Sequence, residues 1–373
     1  MTGQPELALL LSLARHELND HDVSEVRGLL LAHRGALDWG RFLDLAARHR
    51  LLPLVGRNII SYRLDHDADR KPLTPYRQVF SGAYVGNRVR NQVQHAEYAT
   101  VLNALNAADV RYLVRKGPVL DTYGFADLGA RQSSDLDLLV DRVDMGAFGA
   151  VVEKLGYQQG LLAPDGTVRP YSRRAQVYWK AHLNNSLPFV KYSGSVEVDH
   201  FKVDPCHQIA QKSAAVEVTN ADLFARSVAQ DICGVSSRAM SEVDQMLDLC
   251  LHLHKEATAL YYLESGKGLR LRQLLDIVVL TRAWPEETWH ELIELAHACS
   301  AATEIYYALH FASLCYPEAI PQRALASMKP EDTAYLEDFG HMEGKPGRWR
   351  ASFFERLLGD DQVRTTSSEV PRM

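Results

Sequence analysis

Asp135 and Asp137 are the residues whose type and spacing speak most directly of chemistry. In a strand, positions two apart point to the same face, about 7 Å apart along it. Carboxylates so placed can share divalent cations about 3.5–4 Å apart, the arrangement used in phosphoryl and nucleotidyl transfer. Oxygen ligands and phosphate substrates favour Mg²⁺, or Mn²⁺, over zinc. Residues 135–140 (DLDLLV) read as that strand, with Leu136, Leu138 and Val140 turned into a core. A bare Asp-x-Asp is also what the solvent face of an edge strand looks like. The residues before it favour the chemical reading. Gly117 sits at a strand-to-helix junction, where a missing side chain and free helix N–H groups suit a triphosphate. Lys116 and Arg131 offer charge to phosphate oxygens, the arginine bidentately. Gly117-Pro118 is alternatively a plain turn. Ser133 and Ser134 either bond phosphate or cap the loop, and at least one is expected to do the latter.

A third carboxylate would complete the cradle. Residues 196–203 (VEVDHFKV) read as a strand in which Glu197 and Asp199 alternate with Val196 and Val198 and so share a face. Either acid could orient or deprotonate an acceptor hydroxyl; both could equally lie on an exposed strand face. Between Thr167 and Val196 there is no acidic residue, but there are Arg169, Arg173, Arg174, Lys180 and Lys191. That local excess suits a surface facing phosphate. Tyr171, Tyr178 and Trp179 lie among these cations and could stack on a base, although a tryptophan is more often core.

The elements that must position these groups change character along the chain. Residues 1–108 read as a helical region, broken at residues 65–75 by charged residues and two prolines. Strands and helices mix over 109–207, with strands expected at 110–114, 135–140, 176–183 and 196–203 and a helix at 145–155. Residues 208–358 return to helical periodicity, with Ser241 opening a helix to about Ala257. Further helices are expected at 269–283, 286–298, 300–313 and 330–340. The last residues, 359–373, are polar and expected to form a flexible tail. The fold expected is therefore α+β: a small mixed β-sheet core flanked by N-terminal and C-terminal helical regions.

Composition supports a folded, multi-domain protein: 373 residues, 46% hydrophobic and 24% charged. Lys plus Arg number 41 against 47 Asp plus Glu, a formal charge of −6, which disfavours non-specific coating of nucleic acid. Five widely spaced cysteines make no CxxC pair, so neither a zinc site nor a disulfide framework is indicated. The apolar stretch Leu7–Ala14 is too short for a membrane span and lacks a signal peptide's basic start. A cytoplasmic protein without membrane attachment is expected.

The run LVRKGPVLDTYG…ARQSSDLDLLV resembles the LKG…Y…R…DxDLLV signature of the uncharacterised bacterial nucleotidyltransferases within the polymerase-β-like superfamily. VEVDHF is similar to that family's later (D/E)-x-H strand. LAARHRLLPLVGRNI (45–59) resembles its N-terminal helical segment, and the helix with His252 and His254, followed by LRLRQLLD (269–276), its C-terminal part. The likeness spans about 40–285, and its KG…R…DxD block is the specific part. It implies a short mixed sheet flanked by helices and Mg²⁺-dependent transfer of a nucleotidyl group. By position it assigns Asp135 and Asp137 to metal, and Lys116, Gly117 and Arg131 to the phosphate side. Ser133, Ser134 and Lys180 join them as nucleotide-side candidates. The superfamily's Gly-Ser is here Gly117-Pro118, which removes a hydroxyl from the phosphates. Aligning the acid puts Glu197 in the third slot; aligning the histidine puts Asp199 there, and Glu197 is preferred. His254, Arg272 and Asp276 are expected to reach the site from the helical domain, although Arg272 and Asp276 also form an i, i+4 pair of the surface kind. His252 and His254 cannot share a helix face and are rejected as a metal pair.

The activity expected is transfer of NMP from an NTP, ATP foremost, to a hydroxyl or phosphate of a small molecule, peptide or protein, releasing pyrophosphate. Nucleic acid is a less favoured acceptor. The alternatives are a DxD glycosyltransferase using a nucleotide sugar and a non-catalytic nucleotide-binding or interaction protein. The former would require an α/β nucleotide-binding half before the motif, where the sequence reads as helical.

Overall fold

A computed structural model describes residues 4–211, 215–264, 266 and 268–359. The tail expected over 359–373 lies, from residue 360 on, outside the described residues, as do the side chains of Tyr178 and His182. The fold is α+β, with helices flanking one eight-stranded mixed sheet. Its strands are β1 (Tyr112–Val114), β2 (Leu136–Val140), β3 (Gln158–Leu162), β4 (Val168–Pro170), β5 (Phe189–Tyr192), β6 (His200–Cys206), β7 (Val228–Ile232) and β8 (Val235–Ala239). They lie in the order β4-β3-β5-β6-β2-β1-β8-β7. β2 runs parallel to β6 and antiparallel to β1, while β1 runs parallel to β8.

Alternation along the central strands separates the two faces. Tyr112, Val114, Leu136, Leu138, Val140, Phe201 and Val203 point one way, onto Tyr98, Val101, Leu102 and Leu105 of the Arg77–Ala107 helix and Phe148 and Val152 of the Met145–Lys154 helix. Leu113, Leu139 and Cys206 point the other way, with Met240 and Leu223. That second face also carries Asp137 and Asp204, because both alternate with the apolar set.

The helices from the two ends of the chain share a single apolar core, running from Leu7 through Phe42, Leu54 and Phe80 to Leu274, Leu309 and Leu357. Polar contacts tie it across large sequence distances. The Tyr316 hydroxyl donates to the Ala14 carbonyl at 2.8 Å, and the Leu271 N–H donates to His49 Nδ1 at 3.0 Å. Gly56 permits the closest helix approach: a Cβ there would stand 2.1 Å from the Phe80 carbonyl oxygen, a backbone atom that cannot yield.

The structure departs from the sequence reading in several places: β3, β4 and β5 were not expected, and β7 and β8 form a hairpin within residues read as helical. Residues 176–183 are not a strand; Arg173–His182 is a helix, started by the Ser172 hydroxyl accepting from the Ala175 N–H. The strand expected at 196–203 begins only at His200 and continues to Cys206. No long helix forms over 330–340, where a 3₁₀ turn at Ala334–Glu337 leads into the two-residue strand Asp338–Phe339.

His49 is fully buried, and burial, with Arg48 beside it, lowers its pKa to about 4 from 6.5. Between those values the unfolded chain binds the proton that the folded chain refuses, so stability falls as pH drops from 6.5 towards 4. Urea denaturation should show His49→Gln losing about 2–3 kcal/mol less than wild type over that interval. An unchanged pH slope would refute the assignment.

Candidate active site

β1 ends in a turn whose strain marks the site. Lys116 adopts φ 52°, ψ −113°, a left-handed conformation unusual for a residue with a side chain. It is held there because its N–H donates to Gln245 Oε1 at 3.0 Å and its carbonyl accepts from the Leu120 N–H at 2.9 Å. A helical turn, Gly117–Val119, follows. Gly117 is buried, and a Cβ added there would meet the Arg131 guanidinium at 3.5 Å and the Ser133 hydroxyl and the Asp135 carbonyl at 3.7 Å, ordinary packing distances.

The acids meet on β2 and β6. Parallel pairing sets Asp137 opposite Asp204 and Leu136 opposite Val203. Asp135, just before β2, shares the Asp137 parity. Lys202, two residues before Asp204, places its Nζ 3.0 Å from Asp135 Oδ2 and 3.0 Å from Asp204 Oδ2. The Lys116 Nζ lies 3.5 Å from Asp137 Oδ1. Three carboxylates thus face two ammonium groups in a partly enclosed cleft. Burial alone would raise Asp135, but Lys202, with Lys116 and the Ser134 hydroxyl, holds it well below the usual carboxylate range. Burial raises Asp137 instead, against the pull of Lys116 and Arg115, with the charges of Asp135 and Asp204 adding to the rise.

Glu197 and Asp199, expected to supply the third carboxylate, do not join this group. Ser193, Gly194 (φ 68°) and the bends that follow tuck Val198 into the core, so the chain changes phase before β6 begins. Glu197 is left exposed, bonded by the Ser195 hydroxyl, and Asp199 is exposed beside His200 at 2.9 Å. Asp204 stands in the position sought.

Arg131 is also placed otherwise than expected. It is buried, with Nε and Nη2 donating to Asp276 at 2.9 and 3.0 Å and Nη1 donating to Asp121 at 3.1 Å and Ser133 at 2.9 Å. With both carboxylates matched to it, it braces the loop into the sheet in place of a phosphate contact. Arg272 and Asp276 do reach this network, Arg272 Nη1 donating to Asp276 at 3.2 Å. Ser133 donates to Asp121 and is buried; Ser134 bonds Asp135. His254 is elsewhere, packed edge-on to Tyr307 at 4.9 Å inside the helical core. Lys180 lies exposed on the Arg173–His182 helix.

Gln245, Asp248 and Glu256 were not singled out from the sequence, and His252 was named only to be rejected as half of a metal pair. The Glu242–Thr258 helix lays Gln245, Asp248, His252 and Glu256 along one stripe, spaced three or four apart. That polar stripe on a buried helix was the available signal. Asp248 grips the buried Arg115, whose Nε donates to it at 2.9 Å. His252 Nδ1 lies 3.4 Å from the Lys116 ammonium and its Nε2 3.3 Å from Glu256. Burial and Lys116 lower the His252 pKa to about 4, so the ring is neutral, accepts from the lysine and passes its own N–H to Glu256. Arg50, in the turn after the Trp39–Arg48 helix, and Arg270, at the N-cap of the Leu271–Thr281 helix, lie near enough for their charges to act on each other or on Glu256. Neither has a carboxylate at ion-pair distance among the described residues, and burial and their mutual repulsion lower the Arg50 pKa.

Asp248 and Arg115 are each almost wholly buried, so removing one partner strands the other's charge. Arg115→Met should cost about 3–5 kcal/mol in denaturant unfolding, with Arg115→Met/Asp248→Leu recovering most of it. A double variant no more stable than the single would show that the pair matters through other contacts.

No curated protein matches the chain. A family model described as "Uncharacterised nucleotidyltransferase" matches residues 35–317, which takes in the Lys116-Gly117 corner, the three carboxylates, the Arg50 turn and the Gln245–Glu256 stripe. The chain belongs to that nucleotidyltransferase family.

Proposed function

We propose that the protein is a cytoplasmic Mg²⁺-dependent nucleotidyltransferase that moves NMP from an NTP, ATP foremost, to a hydroxyl or phosphate oxygen of a small molecule, peptide or protein. The observation that carries the proposal is the Asp137–Asp204 register across two parallel strands, with Asp135 on the same face and Lys116 beside it. Oxygen donors of net negative charge gathered on one face are the set that a hard divalent cation favours. Asp135, Asp137 and Asp204 would hold Mg²⁺, or Mn²⁺, which when bound supplies Lewis acidity at the phosphates.

The chain's own groups account for the rest. Lys116, steadied by His252, donates to phosphate oxygens, as do Arg50 and Arg270, whose charges await an anion. The turn at Lys116-Gly117 would offer backbone N–H groups to the triphosphate. Asp204 would take the acceptor hydroxyl's proton as the acceptor oxygen bonds to the α-phosphorus and the α–β bridging bond breaks. Pyrophosphate leaves with the negative charge, neutralised by the cations around it. Tyr171, packed against Trp179 with ring centroids 6.4 Å apart, would offer its ring to a base. A nucleotide-sugar transferase finds less support: the described chain before β1 is helical and holds no α/β nucleotide-binding half.

Incubation with Mg²⁺, each α-labelled NTP and cell extract should label an acceptor. Asp135→Asn, Asp137→Asn and Asp204→Asn should each lower label transfer by about 100-fold or more, with Glu197→Gln and Asp199→Asn within about twofold of wild type. Loss in the latter pair but not in Asp204→Asn would reverse the assignment. In steady-state assays Arg50→Ala and Arg270→Ala should raise the NTP KM about tenfold with a smaller change in kcat. Unchanged KM in both would remove them from the phosphate site.

A further inference from the structure

Lys202 stands where the proposed function would put positive charge of another kind. Its Nζ is equidistant from Asp135 Oδ2 and Asp204 Oδ2, 3.0 Å from each, and the three groups arise on adjacent strands whose register leaves the lysine no other side to face. Its side chain is only 27% exposed, so the ammonium is drawn into the cleft and away from solvent. The spacing of the acids bears its mark. With the ammonium between Asp135 and Asp204, the oxygens of Asp135, Asp137 and Asp204 do not all lie within 4.8 Å of one another, and the lysine must withdraw before the three can close on an ion; among the described residues a trio that close is found at His21, Asp22 and Glu25. There Asp22 caps a helix and Glu25 accepts from Ser12, which accounts for the cluster without an ion.

We propose that Lys202 is a built-in counter-cation that a divalent ion must displace, so that the site loads metal together with nucleotide and resists metal alone. This rests on the proposed nucleotidyl transfer. An ammonium and a divalent cation cannot both sit at hydrogen-bond distance between the same two carboxylates: their repulsion is large at that range. Displaced in the absence of nucleotide, the Lys202 ammonium leaves two ion pairs and gains none. Displaced in its presence, it finds phosphate oxygens within the sweep of a four-carbon side chain, and the exchange becomes balanced. Coupling of this kind makes each ligand raise the affinity of the other by the same factor.

Mn²⁺ binding followed by electron paramagnetic resonance reads this without turnover. In the nucleotide-free protein Lys202→Met should bind Mn²⁺ about tenfold or more tightly than wild type, while Lys202→Arg, which keeps the charge, stays near it. With a non-hydrolysable NTP analogue present, the gap between Lys202→Met and wild type should shrink below about threefold. Equal nucleotide-free affinity in Lys202→Met and wild type overturns the proposal. Absence of Mn²⁺ binding in every variant, with and without analogue, overturns it together with the metal reading. Should Lys202→Met fail to fold, wild type labelled with ¹⁵N-lysine gives an independent reading. The ion-paired Lys202 ammonium signal, assigned by its loss in Lys202→Arg, should shift when Mg²⁺ and analogue are added together; persistence at saturation refutes displacement.

Discussion

The register between β2 and β6 is the constraint on which the site depends. Parallel pairing sets Asp137 directly across from Asp204, and strand alternation then decides everything nearby. Leu136, Leu138, Phe201 and Val203 enter the core under the long Arg77–Ala107 helix, so the carboxylates must face the other way. A slip of one residue would bury acids among leucines. Apolar packing on one face thus holds charge together on the opposite face, and like-charge repulsion among the acids is tolerated because Lys116 and Lys202 sit between them.

Charge is arranged in layers around that register. Arg115–Asp248 and Arg131–Asp121–Asp276 are buried pairs that pin the ends of β1 and the loop before β2 to the Glu242–Thr258 and Leu271–Thr281 helices. Such pairs contribute little net stability compared with apolar substitutes, but they specify which loop meets which helix. Lys116 stands at the boundary, its backbone strained and its side chain shared between Asp137 and His252. Outside it, Arg50 and Arg270 feel the charge of Glu256 but have no carboxylate at ion-pair distance among the described residues.

Much of this was legible in the residues. DLDLLV could bury Leu136, Leu138 and Val140 on one face only by turning both aspartates to the other, and the strand forms where the alternation placed it. The α+β architecture followed from the change of period at residue 109. The third acid was not legible for an equally physical reason. VEVDHFKVDPC alternates in two phases, and only the turn at Ser193–Gly194 and the burial of Val198 tell which phase the sheet adopts. Arg131 looked like a phosphate ligand because its partners, Asp121 and Asp276, are far apart in sequence and become neighbours only in the fold. Residues 176–183 mixed aromatic and β-branched residues in a strand-like way, but the Ser172 cap favours helix. The β7–β8 hairpin escaped notice because its turn is Cys233-Gly234, both at positive φ, without the usual asparagine or aspartate.

The core common to both ends of the chain has a consequence for how such a protein can be altered. Helices before residue 62 and after residue 270 are each other's apolar lining, and the Arg50 and Arg270 guanidiniums ride on that joint body. Grafting a foreign C-terminal half onto this sheet, in the hope of importing a new recognition surface, would leave leucines of the N-terminal half facing water and tilt Arg50 out of line. The two flanks are therefore exchangeable only as a matched set, and the sheet is not a portable module.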